Sequence, residues 1–412
     1  MTRTTEIEIE GFKGIQSLHV EPTAINVITG RNNTGKTSLL EAIELVFDPN
    51  AIIQFESNLD TLVNVESETT SISMETKGDA RSIGIVEPAE QRTRELLVQA
   101  LLETITKVID WARKRGIMNE EEVESINDDI HTIVEDTITP EIVEEISTEA
   151  VILSINGTEY PYLSSRGTAQ QMYREIIENI QKRISDQPDE EEIGGQMSLS
   201  GFSNHIPLQT IGGPDFGFIG DGSPDSNAVT KIDGRDLTQP PEADNSESVA
   251  VKIDDIEDTL IEHEIVEDLR SFDRDYLVFT DDDGEKYSVP YEFMGDGFKA
   301  IVGILWELLD KERSSDVILL EEPAIHMHPG YVRELVYFLV DIARERNMQL
   351  FITTHNNDFV ADFFGENFTD DEQSFLENEF TLVQMQSDAA DVMSYRDAEE
   401  HLKDLHLDLR GI

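Results

Sequence analysis

Gly30-Arg31-Asn32-Asn33-Thr34-Gly35-Lys36-Thr37 has the spacing G-x-x-x-x-G-K-T. It follows the apolar run 25–28 and precedes a stretch in which Leu39, Leu40, Ile43 and Val46 recur at helical spacing. A loop of this length at a helix start turns its backbone N–H groups onto phosphate oxygens. Lys36 adds a mobile charge for the β- and γ-phosphates, and the Thr37 hydroxyl can ligate Mg²⁺. A second apolar run, 317–320, ends in Glu321 and Glu322. Beside a phosphate loop, a strand ending in acids sets one on the metal's water shell and the next where it can orient the attacking water. Glu321 is accordingly read as the metal residue and Glu322 as the general base. A third apolar run, 349–353, leads to His355, with Asn356 and Asn357 beside it. Such a histidine can hydrogen-bond a γ-phosphate or the attacking water, although a lone histidine is more often an ordinary surface or core residue. Gly295-Asp296-Gly297 opens a helix carrying Ile301, Ile304, Leu305 and Leu308. Its small residues expose N–H groups that can hold an anion, such as a γ-phosphate from an opposite subunit; an ordinary Asp-capped helix is the alternative.

These residues need strands to carry them. Residues 5–20 alternate as two strands around Gly11–Gly14, and 59–86 alternate weakly as short antiparallel strands. From Pro88 to Ala150 the pattern is helical, with Leu96, Leu97, Leu101, Ile105 and Ile109 on one stripe and a break at Gly116. The heptads stop there, which favours a compact helical hairpin over a long coiled coil. Asn156-Gly157 signals a β-hairpin over 151–163. Residues 194–248 are rich in Gly, Ser, Pro, Asn and Asp and read largely as a flexible surface excursion, with order resuming in a helix from about 251 to 272. A hairpin at 276–293 and an alternation of strands and helices to the end imply a largely parallel sheet.

The segments FKGI, GRNNTGKTSLLEAIE, MGDGFKAIVGIL, ILLEEPAIHMHPG and FITTHNNDF resemble an ATPase of the ABC class, from the RecF, OLD and structural-maintenance-of-chromosomes branch. They are most similar to stand-alone OLD-like archaeal and bacterial AAA-family ATPases. The resemblance covers about 5–60 and 250–365. It implies an α/β fold, a P-loop NTPase head of ABC type with a mixed sheet and an inserted helical and loop-rich region. The expected parts are an N-terminal half-head at 1–87, the insertion at 88–250 and a C-terminal half-head at 251–412. It further implies ATP and Mg²⁺ as cofactors, and a homodimer that sandwiches ATP between the phosphate loop of one head and the signature helix of the other. Carried over, Gly30, Arg31, Asn32, Asn33, Thr34, Gly35, Lys36, Thr37 and Ser38 hold phosphate and Mg²⁺. Thr37 and Glu321 serve the metal, Gly295 and Gly297 are the signature, and His355 is the switch beside Glu322. Lys13 resembles a basic residue that reaches the nucleotide, with an exposed turn lysine as the alternative. The sequence departs from the pattern at Gly295, where transporters carry Ser, at Asp296, which brings negative charge, and at Ala324, where an acid is common; Gln54 is the one candidate for a Gln-loop.

The implied function is Mg²⁺-dependent ATP hydrolysis by an ATP-gated dimer in DNA repair or anti-phage defence, with a separately encoded nuclease or effector as partner and DNA as a further one. A slowly hydrolysing scaffold or sensor is the alternative reading, and a transporter subunit is weakened by MGDG and the long insertion. Only 57 residues follow His355, and acids such as Asp221, Asp225 and Asp233 lie in loop-like sequence. DNA cleavage is therefore expected from a partner and not from this chain.

The 412 residues carry 86 acidic and 31 basic side chains, a formal charge of −55, yet 38% are hydrophobic, so the chain can still build a core. Lysine is scarce, 12 against 19 arginines, and the acid is spread evenly. That pattern fits a cytosol at molar salt, where screening is short-ranged; an acidic protein binding basic partners is the alternative. Absent cysteine excludes disulfides and thiolate sites. The start lacks a signal-peptide core and the best apolar run, Ala300 to Leu309, contains Glu307, so a cytoplasmic protein with no membrane association is expected. His326 and His328 lack further ligand candidates, which argues against a metal pair. Arg92, Arg94 and the cluster Arg113-Lys114-Arg115 could meet DNA phosphates or pair with neighbouring acids.

Overall fold

The computed structural model describes residues 3–55, 59–76, 78–86, 90–114, 116, 120–140, 143–144, 150–163, 229–237, 247–263, 265–266, 268–281, 283–309, 316–386 and 389–404. In chain order the elements are β1 (Thr4–Phe12), β2 (Ile15–Val20), β3 (Ile25–Gly30), α1 (Lys36–Phe47), β4 (Thr69–Thr76), β5 (Asp79–Val86), α2 (Glu90–Lys114) and α3 (Glu120–Thr137). There follow β6 (Ala150–Ile155), β7 (Thr158–Leu163), β8 (Val229–Asp233), α4 (Glu247–Glu262), β9 (Leu269–Phe272), β10 (Tyr276–Thr280), β11 (Lys286–Pro290) and α5 (Asp296–Leu308). The last are β12 (Val317–Glu321), α6 (Pro329–Glu345), β13 (Gln349–Thr354), α7 (Asn357–Asp362), α8 (Asp370–Glu379), β14 (Phe380–Met385), β15 (Ala390–Ser394) and α9 (Tyr395–Glu399). Contacts divide the chain into one unit of Met1–Asp48, Ile72–Arg81 and Asp225–Ile412, and another of Pro49–Ser71 and Ser82–Pro224.

In the first unit a six-stranded sheet runs β15-β14-β3-β13-β12-β8. All neighbours are parallel except the edge strand β15. β3, β12 and β13 are buried along their whole length, which explains their largely apolar character: a strand covered by helices on both sides has no wet face. Ile25, Val27, Ile318, Leu320, Leu350 and Ile352 share one core cluster with residues of α5 and α6, while α1 contacts β3, β12 and β13. In the same unit β1 and β2 form an antiparallel hairpin, Ile7 opposite Val20, with β4 beside β1, and β9 to β11 form a small antiparallel sheet.

In the second unit β5, β6 and β7 are antiparallel, and the Asn156-Gly157 turn closes the β6–β7 hairpin with both residues at positive φ. Helices α2 and α3 pack together, burying Leu97, Leu101 and Ile105 of the first and Ile130 and Val134 of the second.

Two expectations are corrected. Residues 229–233 are β8, hydrogen-bonded into the main sheet, although 194–248 reads as a loop excursion; 194–228 and 238–246 lie outside the described residues. The helix expected from 251 to 272 ends at Glu262, and 269–272 is strand β9. Helix α8 and strand β15 carry no expectation from periodicity, because α8 buries little besides Leu376 and β15 is mostly exposed. Among the described residues no helix is long and apolar enough to cross a membrane.

Candidate functional site

The loops after β3, β12, β13 and β8 leave the parallel sheet at one edge, the place where α/β sheets hold ligands. The ladders set Glu321 opposite both Thr353 and Asp233, and Thr353 opposite Ile28, so the four strands end level. Gly30 lies at φ +147°. A Cβ there would run into the backbone carbonyl of Met385 and lie 2.8 Å from Thr34 Oγ1, so only glycine starts this turn. Asn33 and Gly35 also take positive φ, which curls the loop onto the start of α1. Gly35 caps that helix without a side chain, so the first N–H groups are turned toward the loop. Lys36 folds back, with Nζ donating to the carbonyls of Gly30 (2.9 Å) and Arg31 (3.0 Å). Burial holds its ammonium below the usual lysine range, while the charges of Glu322 and Glu321 pull it upward. Thr34 Oγ1 donates to Arg31 O at 2.9 Å; Arg31, Asn32 and Asn33 are exposed and Ser38 is buried.

Thr37 Oγ1 donates to Glu321 Oε1 at 2.9 Å. The hydroxyl thus directs its proton at the buried carboxylate and keeps its lone pairs, and a hydroxyl with a carboxylate is a hard-oxygen pair that suits Mg²⁺. Glu322, the next residue, sits at φ +48°, a strained setting for a side chain with a Cβ, and its N–H bonds Thr353 O at 3.0 Å. That turn sends its carboxylate toward β13. Glu322 Oε2 lies 2.8 Å from His355 Nδ1 and also accepts the His355 N–H at 3.2 Å. The pair lines a cleft of about 490 Å³ together with Ile325, Met327 and Asn357.

The structure therefore brings together the phosphate loop, Glu321, Glu322 and His355. Lys13, at φ +50° in the β1–β2 turn, reaches Glu41 of α1 at 2.6 Å. A Cβ on Gly297 would lie nearest His326, Met327 and Tyr331, and one on Gly295 would meet nothing within 4 Å. Gly295 caps α5 without a side-chain bond, and Asp296 occupies the first turn. His328 Nδ1 accepts from Gly330 N at 3.3 Å, a helix cap for α6. Arg92 pairs with Glu95 and Glu159, Arg94 bonds the carbonyls of Glu135 and Ile138, and Arg113 pairs with Asp110, so neighbouring groups of the second unit engage them; Arg115 lies outside the described residues.

Two residues at this edge escaped the sequence reading. Asp233, expected to be a solvated loop acid, ends β8 directly beside Glu321. Arg235, two residues on, donates to Glu321 Oε1 at 2.8 Å and grips Asp233 through Nε and Nη2. Burial acts to raise the Asp233 pKa, but the Arg235 hydrogen bonds and charge outweigh it and hold the carboxyl below the usual range. The available signal was the short stretch 229–232, β-branched except at Lys231 and followed by Asp-Gly, which reads as a strand and a turn.

A family model described as "AAA domain, putative AbiEii toxin, Type IV TA system" matches residues 154–362, and one described as "AAA ATPase domain" matches residues 4–191. No curated protein matches the sequence. Among solved structures, the SMC head domain from Thermotoga maritima is similar at 11% identity, covering 95% of this chain and 98% of that one with a TM-score of 0.45. The Smc head domain with an extended coiled coil, bound to the C-terminal domain of ScpA and derived from Pyrococcus furiosus, is similar at 11% identity, covering 99% and 100% with a TM-score of 0.41.

Proposed function

The chain belongs to the AAA-domain family whose model spans residues 154–362, and from that premise we propose that it binds ATP with Mg²⁺ and hydrolyses it. The observation that carries this reading is the meeting of two pairs at one sheet edge, Thr37 with Glu321 and Glu322 with His355. Lys36 and the uncapped start of α1 hold phosphate, and Thr37 with Glu321 holds the metal. Bound Mg²⁺ supplies charge neutralisation to the phosphates. Glu322 orients water and accepts its proton, and His355 fixes the carboxylate's direction. The reading extends to two copies closing on ATP, with Gly295 and Gly297 of one facing the loop of the other. It places the output in defence or DNA repair with a separately encoded partner, a setting favoured by the type IV TA system in the family's description. This last step rests on analogy.

Asp296 favours a second reading. A carboxylate in the first turn of α5 opposes a phosphate arriving there, and a head so built suits a slowly hydrolysing sensor. Binding and turnover separate the two. Lys36→Ala is expected to lose ATP affinity, whereas Glu322→Gln keeps affinity, loses turnover by about 10²-fold or more and accumulates as an ATP-bound dimer on sizing at molar KCl. A Glu322→Gln peak that stays monomeric with ATP counts against the sandwich. Wild-type turnover near zero despite tight ATP binding favours the sensor.

A further inference from the structure

Arg235, at this sheet edge, has no part in the proposed reaction. It stands in a turn built to reach the site. Gly234 N donates to Glu321 O at 2.8 Å, and a Cβ on Gly234 would collide with the Glu322 carbonyl and lie 2.9 Å from Pro323 Cα, so the turn is pressed against the acid pair. Arg235's own N–H and its Nε both bond Asp233 Oδ1 at 2.9 Å, which fixes the start of the side chain. Its Nη2 then meets Asp233 Oδ2 and Glu321 Oε1, each at 2.8 Å. That Glu321 oxygen is the same one that accepts the Thr37 hydroxyl. The guanidinium is thus planted on the carboxylate that would serve the metal, with about half of its side chain in solvent and that of Glu321 only 7% exposed.

We propose that Arg235 makes metal binding conditional on nucleotide: it neutralises Glu321 and Asp233, so that a divalent cation binds this edge only in company with the phosphates of ATP. The inference rests on the ATP-site reading above. Its basis is charge. Lys36 and Arg235 face Glu321, Glu322 and Asp233, and the adjoining Lys231–Glu44 and Lys13–Glu41 pairs cancel within themselves, which leaves a single net negative charge. A divalent ion arriving alone would invert that charge in a partly buried place beside a fixed guanidinium, and the repulsion is large where solvent is scarce. Triphosphate brings the missing negative charge with it. The buried side of the pair also resists screening, so the effect persists in salt that dissolves surface ion pairs.

The test uses Mn²⁺ alone as probe, without nucleotide, titrated into the full chain at molar KCl and followed by the EPR signal of the free ion. Relative to wild type, Arg235→Gln is expected to gain about tenfold or more in affinity at one site per chain. Arg235→Lys, which keeps the charge, stays close to wild type. The gain vanishes in Arg235→Gln combined with Glu321→Gln, which separates this site from the many surface carboxylates. A damaged fold does not produce a gain that depends on Glu321. Arg235→Gln binding Mn²⁺ no more tightly than wild type, or a gain that survives Glu321→Gln, overturns the proposal. ATP binding by separate aliquots of the same wild-type preparation tests the underlying reading: if ATP with Mg²⁺ does not bind, the site assignment fails. If it binds while Arg235→Gln gains nothing, only the role of Arg235 fails.

Discussion

At the scale of single residues the site is held by backbone conformations that side chains ordinarily avoid. Glu322 takes φ +48°, and its amide is tied to Thr353 O while its carboxylate meets His355. Strain of this kind persists only where surrounding bonds over-determine it. Gly30 is the stricter case, since its φ of +147° and the Met385 carbonyl leave no room for a Cβ. Gly30→Ala is expected to destabilise the first unit by about 2–4 kcal/mol and to abolish ATP binding. Thermal melting with and without ATP at fixed salt checks this, and a variant that melts with wild type would show that the turn can relax.

At the scale of elements one side chain does the work of backbone. Gln349, fully buried at the start of β13, accepts from Thr4 N at 2.9 Å and donates to Thr4 O at 2.8 Å and Thr23 O at 3.0 Å. It splices β1 to the parallel sheet much as another strand residue would. Gln349→Leu removes the partner of Thr4 N and Thr4 O, each worth about 1–3 kcal/mol when buried and unsatisfied, while Thr23 O keeps Asn26 Nδ2 at 2.9 Å. A loss of about 3–5 kcal/mol in denaturant unfolding is the expected result, and a loss under about 1 kcal/mol would mean the groups find other partners. Between α6 and α8, Asp341 is pushed up to about 6 by burial first and then by the charge of Glu372, with Arg344 opposing. A carboxyl whose folded pKa lies above its unfolded value of about 3.9 stabilises fully below that value. This contribution is lost as pH rises through about 6. Wild type is therefore expected to lose about 1–3 kcal/mol relative to Asp341→Asn between pH 4 and 7. Parallel stability curves for the two proteins would refute this.

At the scale of the whole molecule the net charge of −55 dominates. Lowering salt from 1 M to 0.1 M lengthens the screening distance from about 3 Å to about 10 Å, so repulsion among surface carboxylates grows. The melting temperature is expected to rise steadily with KCl. A flat or falling trend would remove the high-salt reading and favour basic partners.

The placement of the candidate residues was legible wherever one short segment carries both the residue and the element that aims it. The Gly30–Thr37 loop joins β3 to α1, Glu321 ends β12 with Glu322 next in the chain, and His355 directly follows β13; apolar runs of that length must be buried strands, and parallel strands must end at one edge. Arg235 and Asp233 were not legible, because β8 is five residues long within loop-like sequence and is made a strand by its pairing with β12. Gln349 likewise looks out of place in an apolar run until Thr4 and Thr23 arrive to use its amide. Local sequence determined which residues could bind phosphate and metal. The tertiary structure alone decided which cation stands on Glu321, since that contact joins residues 86 positions apart and depends on a ladder no local preference encodes.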